Sequence, residues 1–168
     1  MRKRLVLITS VLALLAGAGA TEAAVPPLTV TSLGVTERAE QGSFCWQTKR
    51  RTSTGRPSFV CGDFAYPLDV DCRLPVAPGA VIKVRTGVAV QRVDVALLVS
   101  VSESEPSYLD WSRLRRSRDG RKVWRFALPA DVGQAAVLDI SVGGRRGDSN
   151  TWTGLATPAC ETLPQPRG

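Results

Sequence analysis

The stretch 42–72 constrains the fold more than any other part of the chain, because it holds Cys45, Cys61 and Cys72, three of the four cysteines in 168 residues. Segments 42–48 and 57–64 read as short strands, and the polar run Lys49, Arg50, Arg51, Thr52, Ser53, Thr54, Gly55, Arg56 reads as their connection. A hairpin folded about Ser53 sets Cys45 opposite Cys61. Directly opposed residues on paired strands bring their Cα atoms into the roughly 4.4–6.8 Å range that a disulfide requires. Four cysteines permit three connectivities, and the sequence alone does not choose among them. The hairpin register favours Cys45 with Cys61, which leaves Cys72 for Cys160. That second staple ties the early part of the domain to its last strand across a long loop, worth roughly 4–5 kcal/mol in the chain-entropy model.

Arg2, Lys3 and Arg4 precede an apolar run from Leu5 to Leu15, and Ala18-Gly19-Ala20 ends a tail of small residues. This is the pattern of a secretory signal peptide, and the run is shorter than the about 20 apolar residues of a membrane span. The expected organisation is a signal peptide over 1–20, a flexible lead over 21–27, one domain over 28–163 and a disordered tail over 164–168. Cleavage is expected after Ala20, with Ala24 as the alternative. No cysteine closely follows the apolar run, so lipid attachment has no acceptor, and no membrane span remains after the signal is removed. An even cysteine count suits the oxidising space outside the cytoplasm, so the expected location is secreted, extracellular or in the cell envelope.

Strand signals recur along the rest of the chain. Segment 28–35 opens the series. After the Pro78-Gly79 turn, Ile82, Val84 and Thr86 alternate with Lys83 and Arg85, so one face of that strand is wet. Val93, Val95, Leu97, Val99 and Val101 give the clearest period-2 run, the mark of a central strand. Trp124, Phe126 and Leu128, then Leu138, Ile140 and Val142, alternate in the same way, and 151–156 supplies a last strand. Segment 102–120 is too polar and irregular for a strand, with room for a short helical turn where Tyr108, Trp111 and Leu114 stand three residues apart. The expected fold is all-β, an immunoglobulin-like β-sandwich of about seven or eight short strands, with a small β-barrel as the alternative. Its core is expected to hold Ile82, Val84, Val93, Val95, Leu97, Val99, Trp124, Phe126, Leu138, Ile140 and Val142.

At Gly42-Ser43-Phe44-Cys45-Trp46 and Val60-Cys61-Gly62-Asp63 the sequence resembles a group of short exported bacterial proteins, many of them lipid-anchored. They carry a G-S-[FY]-C-W … V-C-x-D pattern ahead of a string of strands and are functionally uncharacterised. The resemblance covers the hairpin strongly and the later strands as a hydrophobic pattern. It implies export and the β-domain, and no activity; this chain departs in lacking the acylation cysteine. An Arg-, Ala-, Val- and Gly-rich composition agrees with a bacterial, high-GC source.

Several chemistries are excluded by residue type. The chain has no histidine, which removes Ser-His-Asp and Cys-His catalysis, and disulfide-bound cysteines are not nucleophiles. Zinc ligation lacks both histidine and a C-x-x-C pair. The acid pairs Asp69 with Asp71 and Glu103 with Glu105 read as solvated surface charge. Asp69-x-Asp71 and Gly147-Asp148-Ser149-Asn150 complete no calcium loop. No enzyme activity, metal or cofactor is expected. Asp63 is expected to cap backbone amides at its strand end, and Trp124 to lie in the core; Trp46 points opposite to Cys45, so its own surroundings are left open.

Removing 1–20 takes away three positive and no negative charges, so the formal net charge of +7 falls to +4. Where the charge sits matters more. Lys49, Arg50, Arg51 and Arg56 occupy the hairpin loop, and Arg113, Arg115, Arg116, Arg118, Arg121 and Lys122 occupy a second loop. The expected function is a binding module that uses these loops for an acidic cell-envelope polymer or protein. The alternative is an inhibitor of trypsin-like proteases that offers Lys49, Arg50 or Arg51 from a disulfide-braced loop. Specific nucleic-acid binding is not expected, since the loops lack interleaved aromatic residues for stacking.

Overall fold

Apolar residues that alternate along the chain must all reach one face, and strands built this way pair until that face is covered. The structure, a computed structural model, describes residues 25–63, 70–100, 107–109, 115–119 and 122–163, with the backbone alone at 49–50, 100, 107–108 and 115–119. Within it the strands are β1 (Leu28–Ser32), β2 (Val35–Arg38), β3 (Glu40–Arg51), β4 (Pro57–Gly62), β5 (Cys72–Leu74) and β6 (Val81–Thr86). There follow β7 (Arg92–Ser100), β8 (Ser107–Tyr108), β9 (Arg115–Asp119), β10 (Val123–Ala127), β11 (Val137–Gly144) and β12 (Gly147–Leu155), then a short helix α1 (Pro158–Glu161). One sheet has the order β2-β1-β6-β10-β9 and the other β4-β3-β12-β11-β7-β8, with β5 joined in parallel to β12. The pairings along both sheet paths are antiparallel.

The two sheets face each other across one core, which makes the fold an all-β, disulfide-stapled sandwich. Leu28, Val30, Ile82, Val84, Trp124 and Phe126 come from the first sheet, and Trp46, Val93, Val95, Leu97, Leu138, Ile140, Val142 and Leu155 from the second side of the core. Of the expected core residues only Val99 falls short, being half-buried. Trp46 joins the core at 5% exposure, so its face of β3 is the inner one. A second cluster lies on the outer face of the second sheet, where Val70, Leu98, Ala136, Val137, Trp152 and Cys160 pack together. Simple alternation places Leu98 on a wet face; it is fully buried because α1 and the 70–72 segment cover that end of the sheet.

Both disulfides are present, Cys45 with Cys61 and Cys72 with Cys160. Cys160 lies in α1, just beyond the last strand rather than in it. Three other expectations change. The strand expected over 28–35 is broken by a turn at Leu33-Gly34, both with positive φ (47° and 85°), so β1 and β2 form a tight hairpin. The polar segment expected as a loop contains β8 and β9, and β9 pairs along its length with β10. Arg115, Arg116 and Arg118 therefore stand on an edge strand, where charge is the usual means of discouraging a further strand from adding. Tyr108 is likewise in a strand and not a helical turn. These additions raise the strand count from the expected seven or eight to twelve among the described residues.

Expectations for the signal peptide over 1–20 and the rest of 1–24, for Arg113, Arg121, Trp111 and Leu114, for Asp69, Glu103 and Glu105, and for the 164–168 tail lie outside the described residues. Val25 packs against the core, and the Gly87 N–H donates to the Pro27 carbonyl at 2.9 Å, so 25–27 is laid along the first sheet.

Helix α1 has only four residues, too few to be stable on propensity alone. Thr157 holds its start: the buried Oγ1 accepts from the Cys160 N–H at 3.3 Å and donates to the Ala135 carbonyl at 2.6 Å. Thr157→Ala is expected to cost about 1–2 kcal/mol, and Thr157→Ser distinctly less because the hydroxyl remains. Denaturant unfolding of the two variants side by side checks this; equal losses would mean that the methyl group, not the hydroxyl, holds the cap.

Candidate functional site

The hairpin of β3 and β4 pairs Cys45 with Cys61, Trp46 with Val60 and Gln47 with Phe59. The next pair is Arg51 with Pro57, so Thr48, Lys49 and Arg50 stand against Ser58 alone. This two-residue excess interrupts the ladder and bends the arm near its end. The tip is then closed locally. The Gly55 N–H donates to the Thr52 carbonyl, the Thr52 N–H to the Arg56 carbonyl, and the Arg51 guanidinium to the Gly55 carbonyl, each at 2.9 Å. Gly55 takes φ 76° in this turn.

A second irregularity explains the start of the Gly42-Ser43 pattern. β12 pairs Ser149 with Phe44 and then Thr151 with Gln41, so Gly42 and Ser43 together oppose Asn150. At this bulge the Trp152 ring lies flat against Gly42, where an added Cβ would come within 2.5 Å of it. Only glycine fits. The Gln41 side-chain amide pins the bulge by donating to the Gly42 carbonyl at 2.9 Å and the Asn150 carbonyl at 3.3 Å. Ser43 Oγ donates to Asp63 Oδ1 at 2.6 Å across the hairpin, so Asp63 accepts from a side-chain hydroxyl.

Around this bulge lies an open cleft of about 520 Å³ on the outer face of the second sheet, lined by Ser43, Phe44, the Cys45–Cys61 disulfide, Gly62, Asp63, Asp148 and Asn150. Its polar groups are carboxylates, an amide and a hydroxyl. Among the described residues no group of three or more His, Cys, Asp or Glu side chains is placed to hold a metal ion. Asp94 lies on the same outer face, ion-paired to Arg92 at 2.7 Å.

The basic residues divide between the sheets. Arg51 and Arg56 are exposed on the arm, with Lys49 and Arg50 at its bulge. Beside the arm is the β11–β12 turn, where the Gln47 N–H donates to the Arg146 carbonyl at 2.7 Å. Arg145 and Arg146, both exposed, thus join the arm at one end of the second sheet. Arg115, Arg116 and Arg118 are on the far edge of the first sheet and do not meet the arm in either sheet's strand order. Lys122 is exposed just before β10.

Sequence reasoning missed Arg145 and Arg146, which stand far from the arm along the chain and reach it only through the β12–β3 pairing. It also missed Phe59, 50% exposed on the arm, whose apolar character alone suggests burial. No helix among the described residues is long and apolar enough to cross a membrane. No protein-family model, no curated protein and no solved structure matches the chain.

Proposed function

We propose that the protein is an exported, non-enzymatic binding module that holds an acidic partner through its basic surface. The observation that carries this reading is the gathering of cations at one end of the second sheet, Arg51 and Arg56 on the arm with Arg145 and Arg146 in the adjoining turn. None of these four takes part in an ion pair among the described residues. Guanidinium groups bind phosphate and carboxylate through paired hydrogen bonds, and exposed charges of one sign draw a polyanion in from a distance. Two disulfides suit a protein that works outside the reducing cytoplasm. The absence of histidine from the chain supports a binding rather than a catalytic role.

The second reading, inhibition of a trypsin-like protease through 49–56, draws on the bulge that lifts Thr48, Lys49 and Arg50 out of the ladder. Against it, Arg51 is engaged with the carbonyl of its own turn. Titration of the purified protein against trypsin and against immobilised anionic polymers, at low and high salt, separates the two. Polymer binding is expected to weaken steeply with salt as exposed charges are screened over a Debye length of about 8–10 Å. Tight, salt-insensitive inhibition of trypsin would replace the first reading by the second, and failure to bind any polyanion at low salt would refute the first.

A further inference from the structure

The two sheet paths end in the strands β2, β9, β4 and β8, and three of these edges are guarded. β9 reads Arg-Arg-Ser-Arg-Asp, β2 reads Val-Thr-Glu-Arg, and β8 has only two residues. Charge and shortness are the usual means of keeping a further strand from adding to an open edge. β4 has neither. Its six residues are Pro-Ser-Phe-Val-Cys-Gly, and among the described residues only β3 pairs with it. The direction of its backbone groups follows from β3. The Gln47 N–H donates to the Arg146 carbonyl, away from β4, so Gln47 and Phe59 oppose each other without exchanging ladder hydrogen bonds. The N–H and C=O of Phe59 therefore point to the open side, and by alternation so do those of Cys61.

Two exposed apolar side chains accompany this edge. Phe59 is 50% exposed and shares the outer face with the Cys45–Cys61 disulfide, and Val60 is 36% exposed and shares the inner face with Trp46, its partner across the hairpin. On the outer face a row runs through Asp148, Cys45 and Cys61 and stops at the edge, at the border of the cleft that these three help to line. Charge marks the two ends of the strand. Arg56 precedes it and Asp63 follows it, both exposed. Antiparallel addition of an identical strand sets the basic end of one against the acidic end of the other, a complementarity that only a second copy supplies.

From this arrangement we infer that β4 is a dimerisation edge, pairing antiparallel with β4 of a second copy of the chain about a two-fold axis at Val60. Backbone groups alternate in direction along a strand, so such an axis passes between a residue and its own copy. With Val60 against Val60, Phe59 faces Cys61 of the second copy, Ser58 faces Gly62 and Pro57 faces Asp63. Phe59 and Cys61 then exchange both backbone hydrogen bonds, and the N–H that Pro57 lacks falls at the end of the ladder, where proline is tolerated. Each Phe59 ring extends the other copy's row of Asp148, Cys45 and Cys61, so it covers the disulfide at the border of the cleft. The Val60 side chains meet on the inner side in the closer type of pair. An axis at Phe59 puts Pro57, and not an aromatic ring, beside the disulfide. The two-residue excess of β3 stands against Ser58, outside the hydrogen-bonded pairs. A joint of one short strand is small, so the association is weak and reversible. The inference goes beyond the acidic-partner reading and does not depend on it, because Arg51, Arg145 and Arg146 lie on β3 and in the β11–β12 turn, away from the open edge.

Sedimentation equilibrium of the purified protein, from micromolar to millimolar concentration, is expected to show a reversible equilibrium of monomer and dimer. Phe59→Lys is expected to weaken it by roughly tenfold or more, because a charge on the edge replaces an aromatic contact made twice in each dimer. An unchanged melting temperature at concentrations where the protein is monomeric checks that this variant folds. Hydrogen exchange of the unaltered protein reads the ladder without any substitution: the Phe59 and Cys61 amides should slow as concentration rises. Val60→Cys should link two copies covalently on mild oxidation, since directly opposed residues of the closer type lie within disulfide reach. Linkage through Phe59→Cys in its place moves the axis and overturns the contact of Phe59 with the disulfide. Arg56→Glu should weaken association several-fold and the further change Asp63→Arg should restore it; failure of the pair to restore it overturns the placing of Arg56 beside Asp63. A protein that stays monomeric at every concentration overturns the inference. So does a dimer that Phe59→Lys leaves intact, or one in which the Phe59 and Cys61 amides exchange as fast as in the monomer. Titration against polyanions is a separate measurement, so failure of the dimer and failure of the acidic-partner reading are told apart.

Discussion

Gly147→Ala is expected to destabilise the protein by about 3–6 kcal/mol, enough to prevent folding if the parent is of ordinary stability. Gly147 begins β12 with φ 140°, a backbone conformation that side chains with a Cβ rarely adopt. The space is closed as well: an added Cβ would overlap the carbonyl oxygen of Cys45 and crowd the Cα of Trp46. Both obstacles are backbone, so no rotamer change relieves them. The same substitution at Gly79 is the control, because it has φ 71° but nothing within 4 Å of its Cβ position. Gly79→Ala should meet the conformational penalty alone, about 1 kcal/mol. Denaturant midpoints of the two variants decide the matter. If Gly147→Ala is as mild as Gly79→Ala, the close approach of β12 to β3 is wrong, and with it the position of Arg145 and Arg146 beside the arm.

That approach also shows where the sequence is legible and where it is not. β7 and β10 are readable because each buries one face in the core, with Arg92 and Asp94 on the wet part of β7's other face, which writes the strand period directly into Val93, Val95 and Leu97 or Trp124 and Phe126. Cys45 and Cys61 are readable because their pairing is local and symmetric about Ser53. β9 is not, because as an edge strand it carries the sequence Arg-Arg-Ser-Arg-Asp, with no apolar residue to alternate. The break between β1 and β2 is hidden for another reason. Leu33 is an apolar residue at positive φ, and hydrophobic pattern does not record a backbone dihedral. Leu98 and Val137 escape the pattern because the cover over their face comes from α1, far along the chain.

The placement of the basic residues follows the same rule. Arg85 on β6 and Arg125 on β10 look like the wet half of ordinary amphipathic strands. Only the register sets Arg125 against Lys83, and Arg85 in line with Thr29 and Arg38. Likewise Gly42 carries a recognisable pattern without a reason until the Trp152 ring and the Asn150 bulge supply one.

Removing the Cys72–Cys160 link by Cys72→Ala with Cys160→Ala is expected to cost about 4–5 kcal/mol, against about 3 kcal/mol for Cys45→Ala with Cys61→Ala. The difference comes first from the unfolded chain. The links close separations of 88 and 16 residues, and in the chain-entropy model the longer loop confines the unfolded ensemble more. The folded state adds to it. Cys160 is fully buried, and its link is the covalent anchor of a four-residue helix over Val70, Leu98, Val137 and Trp152. β5, the other end of the link, pairs with β12 through Gly154 with Cys72 and Leu155 with Leu74, and the Ala156 N–H donates to the Leu74 carbonyl at 2.8 Å. Without the link, the 70–72 segment depends on these short backbone contacts and α1 on its Thr157 cap, and the apolar outer face of the second sheet is exposed whenever they lift. The arm, by contrast, keeps its ladder and its hydrogen-bonded tip without its disulfide. Unfolding of the two double variants, with an apolar dye to report exposure of the outer face, measures both effects. The Cys72–Cys160 variant should bind dye before it unfolds, and the Cys45–Cys61 variant should not; the reverse order would mean that the hairpin, and not the long-range link, holds the sandwich closed.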